Sequence, residues 1–330
     1  MGASKQTNGL VYCFRKTHSY IGFKKGYNFV LWFIFAGALL GFVLARLQYL
    51  SIDDKFRVGA SPGEWYWLRH GFRKVGITLH LATILPAGIL VIFQFVPIIR
   101  HKVLIFHRIS GYVVMSLLLL SNIGALMIAR RSFGGTLETQ VLIGVLAIMS
   151  TLGISLAYYN IKRLQIDQHR AWMLRTWFYA ASIITLRIIM IISSKILTRI
   201  GGYYRAMPCD EIAFLLDNQT QFETSYPQCF VANGTIDGWI ALPARFDRNA
   251  AQIGNSLGLT FGTAGWLALF MHAVGVEIYL RLTPRESERL RVVSYQRQLE
   301  AGFGHAGSAG LTVDRLGDAD MWQPPKEAPI

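Results

Sequence analysis

The sequence predicts an all-α fold, a polytopic transmembrane helical bundle of about six spans with both termini cytoplasmic. Three observations predict it. Hydrophobic residues make up 52% of the chain against 16% charged, and the mean hydropathy is +0.35, a balance foreign to an ordinary soluble domain. Apolar runs of about 20 residues, enough to cross about 30 Å of hydrocarbon, recur along the chain. The Lys and Arg residues, which leave a formal charge of +14, gather at the ends of those runs and in the terminal tails, where lipid headgroups and insertion machinery favour them. That placement assigns the positive charge to membrane lipids and not to nucleic acid.

Residues 1–26 form a basic cytoplasmic tail with Lys5, Arg15, Lys16, Lys24 and Lys25. The charged lead and the apolar run behind it are both too long for a cleavable signal peptide, so the run from Asn28 to Tyr49 is the first anchor. A mixed loop, Ser51 to Lys74, carries Asp53, Asp54, Glu64 and an aromatic patch at Trp65, Tyr66 and Trp67, read as an interfacial belt. The second span runs from Val75 to Ile99, with His80 near its start and kinks expected at Pro86 and Pro97. The third, Ile109 to Ala129, includes Asn122, and the fourth runs from Val141 to Tyr159. The fifth begins at His169, holds Arg187 deep in its apolar half and reaches Leu197. After loop 198–252 the sixth, Ile253 to Leu280, contains His272 and Glu277. The transmembrane bundle thus occupies 27–281, and 282–330 comprises a cytoplasmic basic helix and a Gly-rich tail read as disordered. Within that tail GFGHAGSAG follows no strand, so it reads as linker and not as a phosphate loop.

Charge and modification signals give one topology. The N-terminal tail, the turns His101–Arg108 and Lys162–Arg170 and the C-terminal tail form the positive, cytoplasmic side. The long loop on the opposite side holds Cys209 and Cys229, which can form a disulfide, and two glycosylation sequons at Asn218 and Asn233. Disulfides and glycans belong to one compartment, so this loop is lumenal and the protein is an integral membrane glycoprotein first deposited in a eukaryotic endoplasmic reticulum. It resides there or in another endomembrane or the plasma membrane.

Placing the polar residues by depth gives two layers. His107, His169 and His272 share the cytoplasmic level; His80, Asn122 and Arg187 are expected to meet in the lumenal half. A charge inside a span is expensive, so Arg187 needs a partner. It either ties helices together or forms the electrophilic half of an active site, stabilising charge on a substrate oxygen while His80 moves a proton. The three cytoplasmic histidines are headgroup-level anchors or hydrogen-bonded span residues on one reading. On the other they are proton-transfer groups, axial ligands of haem b, or ligands of a transition metal, although no specific metal site is predicted.

At HRISGY (His107 to Tyr112) and HRAWMLRT (His169 to Thr176), with Arg187 beyond, the sequence resembles a family of multi-pass membrane proteins built on a domain of unknown function. Its fungal members share GVEIYLRLTPRE (Gly275 to Glu286), and the resemblance spans Val75 to Gln298. It implies a membrane helical bundle and, through fungal members in natural-product gene clusters, lipophilic small-molecule chemistry in secondary metabolite biosynthesis. The leading functional reading is a membrane enzyme acting on a lipophilic small molecule by acid–base cyclisation, isomerisation or epoxide opening. The alternatives are a b-type haem oxidoreductase and a transporter or membrane scaffold.

Overall fold

The computed structural model describes residues 9–216, 218–230 and 238–325; Asn233 lies outside the described residues. Six helices are long and apolar enough to cross a membrane: Gly26–Leu50, Gly71–Gln94, Leu104–Ile128, Leu137–Lys162, Ile166–Ile200 and Ala250–Leu282. They are spans 1 to 6, and the protein is a polytopic helical membrane protein. The chain divides into two compact units, 1–128 and 129–330.

In the first unit span 2 crosses span 3 at a pair of glycines. A Cβ on Gly76 would lie 2.8 Å from Met127 Cβ, and one on Gly124 would lie 2.6 Å from both Gly76 O and His80 N. Small residues let membrane helices approach to backbone contact, which is where they gain dispersion and interhelical polar contacts in a solvent as apolar as leucine. Span 1 leans on span 2 by setting Val43 over Gly88. Pro86 sits inside span 2, but Pro97 opens a separate short helix, Pro97–Lys102. A proline at a first turn removes no helical hydrogen bond, so span 2 stops at Gln94 and not at Ile99. The connection between spans 1 and 2 folds back as a small core of Ile52, Phe56 and Leu68 against Ile77 and Ile128.

The second unit holds spans 4 to 6 and a cap outside them. Thr136 and Asn249 cap spans 4 and 6, their side-chain oxygens accepting from Thr139 N (3.4 Å) and Gln252 N (3.1 Å). Leu142, Leu186, Met190, Phe261, Ala264 and Ala268 form the core between the three spans. The cap is the one departure from an all-α fold among the described residues. Strands β1 (Tyr204–Pro208) and β2 (Trp239–Pro243) pair antiparallel, with Tyr204 opposite Pro243, beside the helices Cys209–Leu216 and Gln219–Ser225. Cys209 and Cys229 are disulfide-bonded and buried among Met207, Ile212, Phe222 and Leu242.

The tail corrects the sequence reading. Residues 303–325 are not a disordered linker: Gly307 to Gly310 are buried, and a short helix, Val313–Leu316, follows. Asp314 anchors the segment. Its carboxylate accepts from Arg291 Nη2 (2.7 Å), Ser308 Oγ and Trp322 N (3.1 Å). Burial opposes its charge, but the hydrogen bonds from Ser308, Thr312, Trp322 N–H and Arg291 outweigh that and hold the carboxyl well below the usual carboxylate range. The composition looked disordered because apolar side chains are few; backbone amides and buried side-chain amides do the docking instead.

Two measurements follow. Gly124→Ala drives a methyl into the backbone of span 2 and is expected to cost about 1–3 kcal/mol, read as a lower midpoint in a denaturing-detergent titration, whereas Gly37→Ala, with nothing within 4 Å, leaves it level or raised. Because the folded carboxyl of Asp314 is depressed, its contribution is fully present above the unfolded value of about 3.9 and is lost only as pH falls below it. Hydrogen exchange of the 303–325 segment is therefore expected to be as slow at pH 5 as at pH 8, after correction for intrinsic exchange, and faster below about pH 4.

Candidate functional site

Spans 5 and 6 run antiparallel, and polar rungs join them along their length. At the disulfide end Ser194 Oγ meets Thr260 Oγ1 at 2.9 Å. Midway, His272 is held on both ring nitrogens: Nδ1 faces Phe178 O at 2.8 Å and Nε2 faces Thr185 Oγ1 at 2.8 Å. A carbonyl only accepts, so Nδ1 carries the proton and, in the neutral ring, Nε2 accepts from the threonine. Toward the tail end Arg175 grips Glu277 with a two-pronged ion pair, Nε to Oε1 at 2.6 Å and Nη2 to Oε2 at 3.0 Å. Its guanidinium lies 4.8 Å from the Trp172 ring centre. The last rung is Arg170 Nη2 to Tyr279 Oη at 3.4 Å.

The ion-pair rung differs from the others because it opens sideways. Arg175 is 21% exposed but Glu277 is 45% exposed. The carboxylate borders an open groove of about 480 Å³ lined by Tyr179, Phe270, Ala273, Val274, Glu277, Ile278 and Arg281. Phe270, Val274 and Ile278 are exposed along one face of span 6 and form an apolar wall about 12 Å long at 1.5 Å per residue. Tyr179 and Glu277 bring two proton-carrying groups to its polar end, with Arg175 behind and Arg281 one turn on. The groove is open along its outer side, with apolar walls and a few polar groups gathered at one end.

The residues singled out from the sequence fall elsewhere. Arg187 stacks its guanidinium 4.3 Å from the Phe133 ring centre and 5.4 Å from that of Phe261, and the two rings stack at 4.2 Å. Phe133, Gly134 and Gly135 form a turn with φ of 49°, 78° and 62°. The left-handed conformation is costly for phenylalanine, and the stacked rings and cation offset that cost. Arg205 closes on the same turn, its Nε donating to the buried Asn255 Oδ1 at 2.8 Å. The surroundings of Arg187 are thus an aromatic platform at the disulfide end.

His80 and Asn122 belong to the first unit. His80 Nδ1 meets Ser121 Oγ at 2.9 Å and Ser121 O at 3.2 Å, and Asn122 is the half-buried next residue on span 3. His107 lies half-buried in the first turns of span 3. His169 turns Nδ1 to Ala157 O at 2.9 Å and so ties span 5 to span 4. Asn218 caps the helix Gln219–Ser225 by accepting from Gln221 N at 3.0 Å, and is exposed. Of the three histidines weighed as haem b ligands, His272 has both ring nitrogens engaged and leaves neither for iron. Arg175 and Tyr179 were not singled out, although Arg175 stands inside the HRAWMLRT motif; a second cation in one apolar helix, with Glu277 the matching acid in the next, was the available signal.

Comparison with known proteins agrees with this architecture. Residues 77–207 match the family described as a predicted membrane protein, DUF2306. The matched stretch runs from span 2 to β1 and contains both His107–Tyr112 and His169–Thr176. The chain is also similar to the Ava biosynthesis cluster protein G of Aspergillus versicolor, with 24% identity over 307 residues, covering 79% of this chain and 90% of that one. No solved structure matches. The protein is a multi-pass membrane protein that is similar to a protein of a fungal biosynthesis cluster.

His272 is a structural rung, so Thr185→Val, which removes one interhelical hydrogen bond, is expected to cost about 0.6–1.7 kcal/mol, seen as a small drop in the unfolding midpoint.

Proposed function

We propose that this protein is a membrane enzyme that acts on a lipophilic small molecule by acid–base chemistry, in the groove bordered by Tyr179 and Glu277. The observation that carries the reading is the half-exposed carboxylate of Glu277 at the polar end of an apolar-walled groove within a membrane span. An intramembrane carboxylate costs several kcal/mol unless paired, and Arg175 meets that cost without burying the oxygens. A substrate partitioned into the bilayer would reach the groove sideways, its apolar body along Phe270, Val274 and Ile278 and its polar group at Glu277.

In an isomerisation or a cyclisation by epoxide opening, one group gives a proton to a substrate oxygen as another takes one from carbon or hydroxyl. Tyr179 fits the donor and Glu277 the acceptor. Arg175 holds the carboxylate in place through its two-pronged contact, and each turnover ends with the proton moved from Glu277 back to Tyr179 through solvent. The similarity to a biosynthesis-cluster protein supports a place in fungal secondary metabolism, where a lipophilic intermediate is the expected substrate class.

The test uses membranes carrying the full chain and an extract from a producing strain lacking it, followed by mass spectrometry. Glu277→Gln is expected to lower turnover by about 10²-fold or more, with Arg175→Lys intermediate; equal turnover in Glu277→Gln would sink the assignment. In the same preparations from haem-replete cells no Soret band is expected, and a band abolished by His169→Ala would favour the haem reading.

A further inference from the structure

We propose that the C-terminal segment 303–322 is a latch that closes spans 4, 5 and 6 into a ring and thereby sets the spacing of Arg175 and Glu277; this rests on reading the groove as the substrate site. The segment meets the span 4–5 connection through three fully buried amides, Asn160, Gln165 and Gln298. Gln165 uses its whole carboxamide. Nε2 donates to Asp167 Oδ1 (2.8 Å) and Gly307 O (3.0 Å), while Oε1 accepts from Gln298 Nε2 (3.0 Å) and Gly310 N (3.1 Å). Gln298 also donates to Arg163 O (2.8 Å) and accepts from Gly307 N (2.6 Å), and Asn160 Oδ1 accepts from Leu311 N (2.9 Å).

Gln298 stands on the surface helix Pro284–Glu300, which is joined to span 6 by Thr283 alone. Proline cannot donate the amide that would carry span 6 onward, so the two helices are separated by a break at that residue. Ser294 of the same helix accepts from Ile166 N at 2.8 Å, and Arg291 donates to Gly307 O, Ser308 Oγ and Asp314. The surface helix thus meets the span 4–5 connection directly, through Ser294 to Ile166 N and Gln298 to Arg163 O, and the latch packs over that seam and bonds both of its sides through Gly307, Gly310 and Leu311. With the latch seated, the first turn of span 5 and the last turn of span 6 are tied to one body. Arg175 lies about 12 Å along span 5 from Asp167, and Glu277 about 7.5 Å back from Leu282, at 1.5 Å per residue, so neither is far from the tie.

Two glycines make the fit testable. Gly307, at φ +87°, would place a Cβ 2.6 Å from the Trp322 ring, and a Cβ on Gly310 would lie 2.5 Å from Asn160 Oδ1 and from Gln165 Cβ. A side chain at 310 unseats the latch by pressing on Asn160 in the last turn of span 4 and on Gln165 in the connection, whereas Gly304 has nothing within 4 Å and serves as control. The consequence for function is that groove geometry depends on a segment outside the membrane, the place where a binding partner or a modification would act.

The experiment uses the full chain in nanodiscs with Cys13→Ser, spin labels at Lys162→Cys and Leu282→Cys, and a pulsed distance measurement. Gly310→Val is expected to broaden or lengthen the distance distribution, raise hydrogen exchange in 303–325, and lower turnover at least tenfold, with Gly304→Val changing none of these. Truncation after Gly302 serves as the second variant should valine be tolerated. An unchanged distance in both variants overturns the latch, and so does a changed distance with full turnover in a protein whose Glu277→Gln variant is inactive. If Glu277→Gln is itself fully active, the groove reading fails and takes control of catalysis with it, while ring closure is judged on distance alone.

Discussion

A membrane-spanning helix pair has no hydrophobic driving force of its own, since lipid is as apolar as the side chains it would replace, and polar side chains inside it must find one another. Spans 5 and 6 are organised by that constraint. Their rungs, Ser194 with Thr260, Thr185 and Phe178 with His272, Arg175 with Glu277 and Arg170 with Tyr279, occur in reverse order on the two helices, as an antiparallel register demands. Each rung is individually modest. Together they exclude a slip of one turn, which would strand a guanidinium, a carboxylate and an imidazole in hydrocarbon at once. The apolar residues between rungs, Leu186, Met190, Ala264 and Ala268, fill the remaining space without specifying it.

The same constraint separates structure from chemistry. Ser194, Thr260 and His272 have their polar atoms satisfied within the pair, so a substrate would have to break a rung to use them. Glu277 is bound by Arg175 yet remains half exposed, and a carboxylate accepts more hydrogen bonds than two guanidinium N–H groups supply. The rung that still has acceptor capacity, at the mouth of an apolar groove, is the one suited to an outside ligand. Arg187 shows the opposite solution: its charge is spread over two aromatic faces, an arrangement that stabilises a strained turn through the ring quadrupoles.

The elements that were legible from the sequence are those encoded by local composition. Six apolar runs gave six spans, and two cysteines in one polar loop gave the pair that forms the disulfide. Arg187 stood out because a charge in an apolar run is rare, but its partner did not: Phe133 reaches it from a turn of three left-handed residues, and a phenylalanine in that conformation follows no local rule. Arg175 and Glu277 are 102 residues apart, and only the helix register brings them level. The small β-hairpin was hidden by the same polar loop that displayed the cysteines. Glycine-rich sequence misled most at the tail, where composition measures apolar burial and the docking uses backbone amides instead.

The extent of the family match bears on where the site is assembled. Residues 77–207 include Arg175 and Tyr179 but end before span 6, so the matched stretch contributes the cation and the phenol of the groove and leaves the carboxylate and the apolar wall to later sequence. Neither half is complete alone: without Glu277 the guanidinium of Arg175 is an uncompensated charge in a span, and without Arg175 so is the carboxylate. The pairing of spans 5 and 6 is therefore a condition for the proposed chemistry as well as for the fold, and whatever fixes their spacing at the tail end acts on both.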